Sequence, residues 1–156
     1  MSVSTRFFLV ICATSAVLTA STIDSRAGGS RDGLGMRAGM SMGPDQFLIG
    51  AQAEFGPIVA SSFLVPSLDL GFDDQTTVIA NVDLRWYLLP LPETGIYFYG
   101  SAGPTMVLSP DIDIGLSLTA GVHIPMKSHR RYNVELRFGF GDIPDLKIVA
   151  AIMFGL

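Results

Sequence analysis

From Leu34 to the C-terminus, apolar side chains recur at every second position through successive segments of about ten residues. A strand turns successive side chains to opposite faces, whereas a helix repeats them every 3.6 residues, so this rhythm commits the chain to strands. The segment "RYNVELRFGFG" (131–141) is typical: Tyr132, Val134, Leu136, Phe138 and Phe140 share one face, and Asn133, Glu135, Arg137, Gly139 and Gly141 share the other. Eight such segments can be laid out, at 34–42, 46–55, 63–72, 76–88, 96–108, 111–124, 131–140 and 146–156. They are separated by "GPD", "GPIVASS", "DDQ", "LPLPETG", "SP", "PMKSHR" and "GDIPD". These links are short and rich in Gly, Pro and Asp, as hairpin connections between antiparallel strands are.

Alternation alone does not say which face meets water. A soluble barrel would turn its apolar row inward, and a membrane barrel would turn it outward to lipid. The polar row decides. A water-facing surface is about a quarter to a third charged, with much Lys and Glu. Here the polar row is Gly, Ser, Asn and Gln with a few charges of both signs, and only Lys127 and Lys147 are lysines. Small residues with balanced charge suit a crowded lumen, because an eight-stranded barrel is just wide enough for side chains to fill it. An isolated charge there is costly unless paired. Arg37, Arg85, Arg137 and Lys147, set against Glu54, Asp69, Asp83 and Glu135, supply that pairing four against four. The expected fold is therefore all-β: an eight-stranded antiparallel up-and-down transmembrane β-barrel over 34–156. Phe47, Phe55, Trp86, Tyr132 and Phe154, near strand ends, suit the interfacial aromatic girdles of such a barrel.

The N-terminus gives the address. "FFLVICATSAVLTA" (7–20) follows Arg6, is too short to span a bilayer as a helix, and runs into small polar residues, so 1–20 reads as a signal peptide. Cleavage as late as residue 27 fits equally, and 21–33 reads as a disordered leader. Cys12, the sole cysteine, leaves with the signal, so no disulfide or Cys-ligated metal is expected. Loss of residues 1–20 removes Arg6 alone, leaving nine of the ten basic side chains against 14 acidic ones. Nucleic-acid binding is excluded on that balance. An exported, apolar chain without a spanning helix sits in a bilayer only as a closed barrel, where every backbone group is paired.

In "NVDLRWYLLPLPETGIYFYGSAGP" an Arg-Trp-Tyr strand end leads through a Pro-rich turn to an aromatic strand running into Gly100-Ser101-Ala102-Gly103. With "LVPSLDLGF", "GLSLTAGVHIP" and "LKIVAAIMFGL", this stretch resembles the bacterial outer-membrane β-barrel domain family, the small OmpA/OmpX-type barrels among them. The likeness covers about residues 34 to 156. It implies the outer membrane as location, lipids and lipopolysaccharide as surroundings, insertion by the barrel-assembly machinery, and a monomer. The chain departs from the family pattern in ending on Leu156, with Phe154 two residues earlier on the same face. Pro66 also departs, and is expected to mark a bulge or a strand start.

No catalytic constellation emerges. His123 closes a strand beside Pro125, His129 sits in a turn, and neither has a nucleophile and orienting acid in its sequence neighbourhood. The expected function is a structural or envelope-stabilising barrel with a charge-paired, filled lumen, without cofactor or enzymatic activity. The alternatives are a narrow porin-like channel for water or small ions, and a soluble periplasmic barrel binding an apolar ligand. One end of the barrel gathers Asp45, Asp73, Asp74, Asp111, Asp142 and Asp145, and the other Lys127, His129, Arg130 and Arg131 with Glu93. Clustered carboxylates suit weak Mg²⁺ or Ca²⁺ bridging to lipopolysaccharide phosphates, though Asp is also simply a good turn residue.

Overall fold

The computed structural model describes residues 32–59, 62–73, 76–108, 111–126 and 130–156. The signal peptide, the leader up to residue 31, Asp74, Lys127 and His129 lie outside the described residues. Among the described residues the chain forms eight strands and no helix. The strands are β1 (Gly33–Met42), β2 (Gln46–Glu54), β3 (Phe63–Phe72), β4 (Thr77–Pro90), β5 (Tyr97–Leu108), β6 (Ile112–Pro125), β7 (Arg130–Gly141) and β8 (Leu146–Gly155). Each pairs antiparallel with its sequence neighbours, and β8 pairs with β1 from Gly33↔Gly155 to Met42↔Leu146, closing an up-and-down barrel. Closure removes the free edges that an open sheet would present.

Because side chains alternate along each strand, parity sets burial at most positions, Ala53 on β2 being an exception. On β1, Arg37 is 3% exposed while its neighbour Met36 is 68% exposed. On β6, Ser117 is buried beside the exposed Leu116 and Leu118, and on β7 Glu135 and Arg137 are buried beside exposed Val134, Leu136 and Phe138. The barrel thus carries most of its apolar strand residues outside and most of its strand charges inside, opposite to the arrangement a soluble barrel binding an apolar ligand requires. The outward aromatics form two belts. Phe47 and Phe72, direct partners across β2 and β3, stand with Phe140 near one end. Trp86, Phe98, Tyr132 and Phe154 stand near the other.

The two ends differ. The strand ends at Met42, Gln46, Phe72, Thr77, Leu108, Ile112, Gly141 and Leu146 lie at what we term the acidic end. Those at Gly33, Glu54, Phe63, Pro90, Tyr97, Pro125, Arg130 and Gly155 lie at the terminal end. Here Asp32 ties the ends together: its carbonyl accepts from Leu156 N (3.1 Å) and its Oδ1 from Gly56 N (3.0 Å). Pro66 is neither bulge nor strand start, correcting the sequence-based expectation. It sits inside β3 in continuous register with Val82, in a gap of the β2–β3 ladder between Gln52↔Ser67 and the Phe55↔Leu64 bridge, which keeps the same register. Its missing N–H therefore falls where the ladder to β2 is interrupted. The irregularity lies instead on β4, between Tyr87 and Leu89.

Candidate functional site

The lumen is filled in three layers. Its middle holds the charges read from the sequence, and Glu135 is their hub. Arg85 Nη2 donates to Glu135 Oε1 (2.6 Å), and Arg37 Nη2 and Arg137 Nη2 each stand 3.8 Å from Oε2. Tyr99 OH donates to Oε1 (2.9 Å), and the Arg85 guanidinium carbon lies 4.2 Å from the Tyr99 ring centroid. Gly121 makes room for that ring, since a Cβ there would collide with the phenol. Arg85 also donates to Glu54 Oε2 (2.9 Å), Arg37 Nε stands 3.0 Å from Asp69 Oδ1, and Arg137 grips Asp83 with both terminal nitrogens. A paired fork of that kind is the strong form of the carboxylate contact.

Neutral groups carry the network around the wall. Asn81 Nδ2 donates to Ser67 Oγ (3.1 Å), Thr105 Oγ1 to Asn81 Oδ1 (2.9 Å), and Arg137 Nη1 to Ser117 Oγ (2.9 Å). The four-against-four pairing needs one correction. Lys147 is 0% exposed, yet its Nζ makes neither an ion pair nor a hydrogen bond with the described residues. Its strand neighbours on either side are Ser41 and Arg137, neither of them an acid. Arg131 approaches the network instead, with Nη1 3.9 Å from Glu54 Oε1.

The outer two layers escaped the sequence reading. Toward the acidic end Leu48, Ile79, Val107 and Val149 point inward and pack with Ile143, which the 142–145 connection folds into the mouth. Ile143 rests against the wall at two glycines: a Cβ on Gly115 or Gly139 would come within 2.9 Å of its side chain. Above this plug lies an open vestibule of about 570 Å³, lined by Gln46, Thr77, Asp73, Asp113 and Asp142 among others. No group of three or more His, Cys, Asp or Glu among the described residues is arranged to hold a metal ion.

Toward the terminal end the lumen is closed by rings. Tyr87 meets Phe63, Tyr97, Tyr99 and His123 edge to face at 5.4–6.0 Å, and its OH donates to Glu54 Oε1 (2.8 Å). His123 is buried here, with the Asn133 side-chain amide 3.1 Å from Nδ1. One signal for this layer was available, because Tyr97 and Tyr99 share the parity of Ser101 and so face inward with it. Ile143 offered none beyond being a lone apolar residue in an acidic turn.

No family model matches the sequence, and no curated protein does. The fold is similar to the N-terminal β-barrel domain of Pseudomonas aeruginosa OprF, with TM-score 0.64 and 14% identity over 82% of this chain and 100% of that one. It is also similar to a structure from the de novo design of transmembrane β-barrels, with TM-score 0.58 and 14% identity over 84% of this chain and 98% of the other. At that identity the likeness concerns the fold.

Proposed function

We propose that this chain is an outer-membrane β-barrel, structural or envelope-stabilising, whose lumen is sealed by its own side chains. The observation that carries this reading is the inverted distribution of polarity. Arg85 and Arg137 are wholly buried inside the barrel while Leu116, Phe140 and Met36 stand in the open outside it. In water such a surface would be an aggregation hazard, and in a bilayer it is the lipid contact. The two aromatic belts and the closed backbone ladder support the same reading. Its surroundings are outer-membrane lipids and lipopolysaccharide, its insertion falls to the barrel-assembly machinery, it is a monomer, and it uses no cofactor and performs no catalysis.

The apolar plug at one mouth and the rings at the other favour a barrel that does not conduct. One set of atoms favours the second reading, a narrow path for water. Lys147 Nζ, Arg137 Nε, Arg37 Nη2, Asp69 Oδ2 and Glu135 Oε2 are buried in the lumen without hydrogen-bond partners, and such groups are satisfied by internal water. Fractionation followed by a gel of heated and unheated samples in detergent tests the membrane reading. Outer-membrane recovery with a faster unheated band is expected, and recovery in the soluble periplasm contradicts it. Planar-bilayer recording then separates the two membrane readings, with a silent barrel expected.

A further inference from the structure

We propose that Arg130 and the ring of Phe154 form a lipid-headgroup site on the outer wall, binding the phosphate of an anionic glycerophospholipid at the terminal end. The inference rests on the membrane reading above. Among the described Lys and Arg side chains, Arg37, Arg85, Arg131, Arg137 and Lys147 all belong to the inward parity. Arg130 alone is turned outward and exposed, and it forms no ion pair with the described residues. Its level is fixed by the two-residue rhythm of β7. The outward positions run Phe138, Leu136, Val134, Tyr132, Arg130, so the guanidinium stands one rung beyond Tyr132 at the end of β7, level with Phe154 in the aromatic belt, the depth at which headgroups meet the wall.

The geometry there suits a phosphate diester. Arg130 pairs across to Phe154 on β8, and its guanidinium carbon lies 5.7 Å from the ring centroid. Its backbone is held by Met126 N, which donates to Arg130 O (2.9 Å). The ring occupies one side of the guanidinium and leaves N–H donors for two phosphate oxygens, the fork-to-oxyanion contact for which arginine is suited. Tyr132 and Val134 continue below as an apolar track along which an acyl chain can lie. Among the described residues Arg130 is the one outward cation, which matches the single phosphate of a glycerophospholipid better than the paired phosphates of lipid A.

The test is native mass spectrometry of the folded full-length chain in detergent, wild type against Arg130→Gln, with phosphatidylglycerol, phosphatidylcholine or lipid A added. The heat-shift gel is run on the same samples. Wild type should retain one phosphatidylglycerol, and R130Q should retain it about five-fold less while keeping the same heat-shifted band. Arg130→Lys, which keeps charge but loses the fork, should fall between. Equal phosphatidylglycerol retention by wild type and R130Q overturns the site, and preferential retention of lipid A overturns the choice of lipid. Absence of a heat-shifted form in wild type would overturn the membrane reading and this proposal with it, so the two failures are told apart by the gel.

Discussion

Glu135 and Lys147 lie in the same lumen and should respond oppositely to substitution. Glu135 neutralises three guanidinium groups and accepts from Tyr99, so Glu135→Gln leaves several buried cations short of an anion. Breaking a buried network in this way costs about 3–5 kcal/mol. The expected result is a correspondingly lower unfolding midpoint in urea, with the barrel folded in lipid. Lys147 has no partner among the described residues to lose. Lys147→Met, similar in length and apolar, should leave stability unchanged or raise it by about 1–4 kcal/mol in the same assay. At this scale the sequence showed which face each charge occupies, because parity is local and Glu135 and Arg137 share it with Asn133. Pairing was not legible. Arg85 reaching Glu135, fifty positions away, depends on the tilt and stagger of a closed barrel, which no single strand encodes.

The connection between β7 and β8 acts as a stopper more than as a loop. Ile143→Ala should cost about 2–5 kcal/mol, as removal of a buried branched side chain does. It should not open a conducting path, because the charged layer lies beneath it; bilayer recording of the variant is expected to stay silent, and steady current would show that the plug alone seals the lumen. The eight segments and their connections were readable to within two residues from alternation and turn chemistry, as β6 shows at 112–125 against the expected 111–124. The stopper was not, since a lone isoleucine in a Gly-Asp-Ile-Pro-Asp turn carries no periodic signal. Nor was the irregularity after Tyr87, where the strand continues through Leu89 and Pro90, residues that read as the start of the connection.

For the molecule as a whole, everything follows from which side of the wall meets lipid. Leu118, mid-strand on β6 and half exposed, should tolerate lysine at little cost if it faces water. If it faces the middle of a bilayer, Leu118→Lys costs about 2–4 kcal/mol, read as a loss of folded barrel at equilibrium in vesicles. The most direct measurement uses Trp86, the only tryptophan in the chain, which points outward on β4 at the belt near the terminal end. The chain is folded into vesicles whose acyl chains carry bromine at graded depths, and Trp86 fluorescence is recorded in each. Strong quenching that is greatest for bromine near the headgroups, with little quenching by aqueous iodide, is the expected result. Fluorescence indifferent to bromine at every depth and open to iodide would place the apolar wall in water and contradict the account.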